Sequence, residues 1–295
     1  MKRRDNGHTF EGSVEDLHRA VAVQYDNLSG LFEQLWGEHM HCGYWDLDDP
    51  GVPREVAARR MTIELIGFGD LPRGARVLDS GCGLGASAIM LAQVLDCFVD
   101  GITLSADQVR RATEKAGAAG VSDRTRFRVR DAAATDYADG TFDVVWSVES
   151  FDVMPDKRAY LAECARVLKP GGTLVVATWC SRAGTLTPRE VRVLRRLYRD
   201  FAISHVIPLE QCEKLCAELE LTNVDSADWT EHMRATWKTS AEMVKPFIHN
   251  PAALLNLVHT KGFRTLSFLS AMARMNQAFE RNTLRYGVLR ATKPT

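Results

Sequence analysis

Val77-Leu78-Asp79-Ser80-Gly81-Cys82-Gly83-Leu84-Gly85 is the stretch on which the fold turns. A short apolar strand ends, three alternate glycines follow, and a helical run begins at Ala86. Glycines are needed where the backbone must turn sharply and approach a ligand without a Cβ in the way. Gly81 to Ala86 also fits the dinucleotide pattern G-x-G-x-x-G/A, so the loop alone leaves two ligand classes open. Asp79 separates them. Bare N–H groups at a helix start favour a pyrophosphate, and a carboxylate two residues before the first glycine disfavours it. A ligand carrying positive charge would welcome that carboxylate.

Outward from this loop, strands alternate with helices. Residues 76–78, 98–102, 127–129, 142–147 and 173–178 read as strands. Between them lie helices at 86–95, after the N-cap candidate Ser105 with Asp107 in its first turn, and at 156–168, where Pro170-Gly171-Gly172 ends the run. Such alternation predicts an α/β fold with a doubly wound, mostly parallel sheet. Residues 1–70 read as an amino-terminal helical cover, with helices over 13–24, 28–40 and 54–67. Residues 71–180 form the Rossmann-like core. Residues 181–295 read as a helical cover over the cleft plus the last strands, with helices near 189–200, 209–219, 234–245 and 252–282, and strands at 221–229 and 286–291.

The 295 residues balance 37 Lys+Arg against 38 Asp+Glu, which excludes a dedicated basic nucleic-acid binder. No apolar run reaches the roughly 18 residues of a membrane helix, and the basic start at Met1 has no apolar core behind it, so a cytoplasmic protein without membrane insertion is expected. The 7 cysteines have no metal-finger rhythm, and Cys212 and Cys216 lack a second ligand pair. No metal is expected.

The order Val77 to Gly85, Arg130-Asp131-Ala132, Phe142-Asp143-Val144-Val145-Trp146-Ser147, then Arg166-Val167-Leu168-Lys169-Pro170-Gly171-Gly172 resembles class I methyltransferases that use S-adenosylmethionine (SAM). The resemblance covers about residues 75–180. It implies a seven-stranded sheet and SAM as cofactor, with S-adenosylhomocysteine (SAH) as product. It also implies that Gly81, Cys82 and Gly83 approach the donor by their backbones, with Asp79 ordering the loop. Asp131 would receive the adenine amino group, Ala132 would offer its N–H, and the Ser147 carbonyl would hold the methionyl amine. Most members carry an acidic residue at the end of the second strand. Here Gly101-Ile102-Thr103-Leu104-Ser105 places Thr103 there, and with Leu104 and Gln108 it looks like the tocopherol and cyclopropane-synthase types.

The stretch from Tyr25 to Trp45 concentrates aromatic and His side chains around Gly37 and Gly43, and resembles the γ-tocopherol methyltransferase group. So do Trp146-Ser147-Val148-Glu149-Ser150 and Ala227-Asp228-Trp229-Thr230. The resemblance implies amino-terminal helices folded over SAM, with Tyr25, Gly43 and Tyr44 near its methionyl end. The same helices could instead bridge a homo-oligomer. Val153 stands where relatives carry a His, beside Phe151. A less basic, more aromatic site suits attack by a carbon–carbon double bond on the SAM methyl, leaving a carbocation that aromatic faces stabilise. Phe151, Trp179, Phe201, Trp229 and Trp237 are candidate walls. Glu149, Tyr25 and His232 are candidate polar catalytic groups, with His205 a second cover-region imidazole. Relatives include terpenoid C-methyltransferases of bacterial secondary metabolism, among them those acting on prenylated indole alkaloids such as the teleocidins. A small lipophilic substrate is therefore expected, C-methylated at a prenyl or terpenoid alkene, with cyclisation open as a following step. Alternatives are N-, O- or aromatic C-methylation of an alkaloid or phenol, and a non-catalytic SAM-binding module. The run after the fourth strand is not the Asn/Asp-Pro-Pro-aromatic sequence of amino-methylating nucleic-acid enzymes, so no nucleic-acid partner is expected.

Overall fold

Val77, Leu78, Val144, Val145, Val175 and Val176 are all buried at 3% exposure or less, the two-sided burial that a sheet covered on both faces requires. The computed structural model describes residues 37–49, 51–249 and 264–295, with residues 15, 16, 18, 19, 21–23, 26 and 33 of the amino-terminal stretch; side chains are described throughout except over 243–249 and 264–269. Helix α1 (Arg54–Gly69) leads into β1 (Arg76–Ser80), α2 (Ala86–Leu95), β2 (Phe98–Thr103), α3 (Ala106–Ala118), β3 (Thr125–Val129) and β4 (Phe142–Val148). A 3₁₀ turn (Phe151–Val153) precedes α4 (Lys157–Val167), β5 (Leu168–Ser181), α5 (Pro188–Phe201), α6 (Leu209–Glu218) and β6 (Thr222–Asp228). Then come α7 (Thr230–His249), α8 (Arg264–Glu280) and β7 (Leu284–Thr292).

The seven strands lie in the order β3-β2-β1-β4-β5-β7-β6. β1 pairs in parallel with both β2 and β4, and β7 runs antiparallel between β5 and β6. The order in which successive strands are added therefore reverses between β1 and β4, the crevice where open α/β sheets bind ligands. The expected α/β class and seven-stranded sheet are present.

Local chemistry sets the helix starts. Ser105 accepts from the N–H of Gln108 at 3.1 Å and caps α3. Asp156 accepts from Ala159 N–H at 2.9 Å and caps α4. Thr187 and Glu190 form a reciprocal capping box at α5, with Pro188 in its first turn.

Several boundaries differ from the sequence reading. Residues 37–40 are not helical: Gly37 has φ 77°, and the chain runs irregularly to Asp49. Strand β5 begins at Leu168, so Pro170-Gly171-Gly172 lies inside it, where the register with β4 shifts between Phe142 and Val144. That shift is how a proline and two glycines sit in a strand. Helix α7 starts at Thr230, four residues before the expected Arg234, because Asp228 accepts from the Thr230 N–H at 2.9 Å and from its hydroxyl. Of the expected helix over 252–282, residues 250–263 lie outside the described residues.

The carboxy-terminal helices close over the sheet. Met233 and Trp237 on α7 share a core with Met272, Met275 and Phe279 on α8 and Leu194, Leu197 and Phe201 on α5. Arg234 ties α7 to Phe279 O at 2.7 Å and Asn282 Oδ1 at 2.8 Å. No helix among the described residues is long and apolar enough to cross a membrane.

Candidate active site

One continuous cleft, with about 1510 Å³ of empty space when the open solvent at its mouth is counted, runs from the glycine loop to the carboxy-terminal helices. At the loop end, Gly81 and Gly83 hold φ values of 96° and 51°, a region that favours glycine. A Cβ on Gly83 would meet nothing closer than Met40 Sδ at 3.9 Å, so this backbone lies bare to the cavity. Beneath the loop, Ser150 Oγ donates to Ser80 O at 2.5 Å, and the Tyr160 hydroxyl is hydrogen-bonded to Ser80 Oγ and to Ser147 Oγ, each at 2.9 Å. This network ties the end of β1 to the end of β4.

Asp79 is 2% exposed, and its Oδ2 has no hydrogen-bond partner. Burial without a counter-charge pushes its carboxyl up to about 7. A cation beside it would restore the ionised form. Thr103 donates to Gln108 Oε1 at 2.6 Å, which fixes the Gln108 amide at the end of β2. Asp131 Oδ1 accepts from Ala133 N–H at 2.8 Å, and its Oδ2 lies 3.8 Å from His18 Nδ1.

The far end is built by the segment after β4. Glu149 sits at φ 48°, a strained backbone for a non-glycine residue, and its carboxylate lines the cavity. Its Oε1 accepts from Cys42 N–H at 2.7 Å and from Tyr286 OH at 3.0 Å. Burial pushes this carboxyl up to about 7. Asp152 is also buried and also raised by burial, and accepts from Thr178 Oγ1 at 3.3 Å. Lining the same cavity, Trp179, Phe201 and Trp237 meet edge to face with ring centroids 5.5 to 5.9 Å apart. A pocket end with aromatic faces and two carboxylates can hold an apolar molecule, stabilise positive charge and accept a proton.

Asp79, Gly81, Cys82, Gly83, Thr103, Leu104, Gln108, Asp131, Ala132 and Glu149 all line this cavity. Seven expected residues do not. Phe151 faces the other side of its 3₁₀ turn, packed against Tyr160 with centroids 5.9 Å apart, while Asp152 and Val153 face inward. His232 uses both ring nitrogens on the amino-terminal segment, at 2.8 Å from Trp45 O and 3.1 Å from Tyr44 OH, so it is a clamp. Tyr44 stacks on that imidazole at 4.0 Å and meets Trp229 edge to face, which removes Tyr44 and Trp229 from the cavity wall. Gly43 donates to Thr236 Oγ1 at 3.0 Å and packs against Trp45 and Ala57. Ser147 is fully buried because β4 continues through Val148, so Val148 and Glu149 meet the cavity. Tyr25 lies outside the described residues. His205 is set apart from the cavity, beside Ser204 at 3.3 Å.

Met40, His41, Cys42 and Asp152 line the cavity and were not singled out from sequence. The cluster of His and aromatic residues before Trp45 was the available signal. Burial holds the His41 imidazole down to about 4, so it is neutral at pH 7, with Nδ1 2.9 Å from Cys42 O. All seven cysteines are unpaired and buried, and no three His, Cys, Asp or Glu side chains converge as a metal site among the described residues.

Comparison with known proteins gives three kinds of match. A family described as a methyltransferase domain matches residues 77–172. The chain is 31% identical over 290 residues to a probable chloroplastic tocopherol O-methyltransferase of Oryza sativa subsp. japonica, covering 94% of this chain and 79% of that protein. It is 35% identical over 278 residues to the 27-O-demethylrifamycin SV methyltransferase of Amycolatopsis mediterranei, covering 93% and 97%. Among solved structures, the [4+2]-cyclase SpnF superposes with a TM-score of 0.81 at 26% identity, covering 94% of this chain and 97% of that one.

Proposed function

The chain belongs to the class I SAM-dependent methyltransferases, in the group that includes the tocopherol methyltransferases, and from that premise we propose that it methylates a carbon–carbon double bond of a lipophilic prenyl or terpenoid molecule of secondary metabolism. The convergence of Trp179, Phe201 and Trp237 on the cavity carries this reading.

SAM supplies an electrophilic methyl group on a positively charged sulfur. The residues at the loop end fit it: the orphaned Asp79 oxygen is suited to a cation, and the bare Gly83 backbone admits close approach. Thr103 with Gln108 would hold the ribose, and Asp131 with Ala132 the adenine. Val153 leaves no imidazole at this point of the wall. Trp179, Phe201 and Trp237 would present ring faces to the positive charge that methyl transfer leaves on the substrate carbon, each worth roughly 1–2 kcal/mol in a dry site. Glu149, with one oxygen held by two donors, would accept the proton lost when the cation collapses to an alkene or closes a ring. Most of the rate would come from holding nucleophile, methyl carbon and sulfur in line.

A second reading, methyl transfer to oxygen or nitrogen, draws on the names of the two curated relatives, both O-methyltransferases. Labelling separates them. Reaction of prenylated indoles and phenols with methyl-deuterated SAM should place the label on carbon by mass spectrometry and NMR; label on a heteroatom sinks the first reading. Trp237→Leu should lower kcat by about five- to thirtyfold, the roughly 1–2 kcal/mol of one ring face, with smaller change in SAM affinity. An equal loss of SAM affinity would place Trp237 at the donor.

A further inference from the structure

Resting on that reading, we propose that Glu149 and Asp152 form an acceptor pole at the substrate end, selecting a lipophilic molecule whose polar end is a nitrogen bearing hydrogen, an amine or N–H heterocycle, and rejecting prenyl diphosphates. Beyond the loop end, the wall includes Val153, Trp179, Phe201, Ile203 and Trp237, with Cys42 beside these two carboxylates. Their charge is not matched by any Lys or Arg on that part of the wall among the described residues.

Each carboxylate keeps one oxygen for a ligand. Glu149 commits Oε1 to Cys42 N–H and Tyr286 OH, and Asp152 commits Oδ1 to Thr178. Neither second oxygen is sealed away as an enclosed, unpartnered atom, whereas Asp79 Oδ2 is. The two groups are near enough for Asp152 to raise the Glu149 carboxyl further.

The neighbouring cations act from behind the wall: Lys157 works against the rise of the Asp152 carboxyl and Arg54 feels the charge of Glu149, but neither cation lines the cavity. Lys157 directs its ammonium at the carbonyls of Phe151, Asp152 and Met154, at 2.6, 3.0 and 2.8 Å, behind the turn. Arg54 donates to His41 O at 3.4 Å and does not line the cavity. Arg130, the one described Arg or Lys on the wall, lies next to Asp131 at the other end and pairs with Asp136. A diphosphate would bring its charges against two carboxylates in a poorly screened pocket, where like charges repel strongly. An N–H group meets them with charge-assisted hydrogen bonds, and a protonated amine also gains from the aromatic faces.

Geranylamine, geraniol and geranyl diphosphate share one hydrocarbon tail and differ only in the head. Calorimetry at pH 8 on SAH-saturated protein, the diphosphate with and without Mg²⁺, should rank the amine at least about tenfold tighter than the alcohol, and the diphosphate weakest. Glu149→Gln with Asp152→Asn should bring amine and alcohol within about threefold, and each single change should go part of the way. The proposal is overturned by a diphosphate that equals the amine, by an amine that does not bind, or by a preference that survives the double change. SAH-induced stabilisation of the same samples reports on the donor site. Its loss in the unaltered protein overturns the methyl-transfer reading; its presence without amine preference overturns this proposal alone.

Discussion

Gly83→Val should leave the protein folded and abolish the rise in Tm that SAH produces. At φ 51° the new Cβ meets only Met40 Sδ within 4 Å, at 3.9 Å, so the side chain starts into the cavity that Gly83 lines and not into the core. The left-handed backbone costs about 1–2 kcal/mol for a branched residue, within the 5–15 kcal/mol typical of a stable domain. The donor loses its close backbone contact, and SAH affinity should fall by at least about a hundredfold, or about 2.8 kcal/mol. Gly81→Ala makes the internal comparison. Its Cβ would overlap the Ser150 side chain and stand 2.8 Å from Ser150 Oγ, so it should lower the Tm of the free protein by breaking the Ser150–Ser80 bond. Scanning fluorimetry with and without SAH reads both. An undiminished SAH shift in Gly83→Val would discredit the loop as the donor's seat.

Asp79→Asn should do two opposite things: stabilise the free protein above pH 7 and weaken SAM binding severely. Burial raises the folded carboxyl to about 7 from an ordinary value near 3.8. The folded state therefore holds its proton over a pH range in which the unfolded chain has released it. Below about 3.8 both states are protonated and the group costs nothing; between 3.8 and 7 stability falls as pH rises, and above 7 the full penalty of a few kcal/mol remains. Asn carries no charge, so the variant should show a Tm advantage at pH 8 that fades towards pH 4. SAM binding should meanwhile release a proton near pH 7 in the unaltered protein, with affinity rising through that range, and should lose this pH dependence in the variant. A variant that binds SAM normally at pH 8 would remove Asp79 from the donor site.

Local chemistry explains what was legible. Val77 to Gly85 and the cap at Ser105 each act within a few residues, and the strand–loop–helix order followed from such local signals. Long-range convergence was not legible. Glu149 is set by Cys42 and Tyr286, 107 and 137 residues away, and nothing near it in sequence announces either donor. Phe151 and Asp152 illustrate the finest scale: one residue around a 3₁₀ turn exchanges cavity for core, so Asp152 takes the place expected of the aromatic. His232 and Tyr44 had the right chemistry for a site, but they spend it on each other and on Trp45. Trp179, Phe201 and Trp237 were three of five aromatic candidates, and only the folding of α5 and α7 over β5 selects them.

The most direct test of the account is a crystal structure with SAH. It should show the adenosyl group between Asp131 and the Thr103–Gln108 pair, the ribose against Gly83, and the homocysteine amino group within hydrogen-bond reach of Asp79. Density for SAH elsewhere, or an anionic ligand seated against Asp79 in its stead, would contradict the claim that this crevice receives a cationic methyl donor.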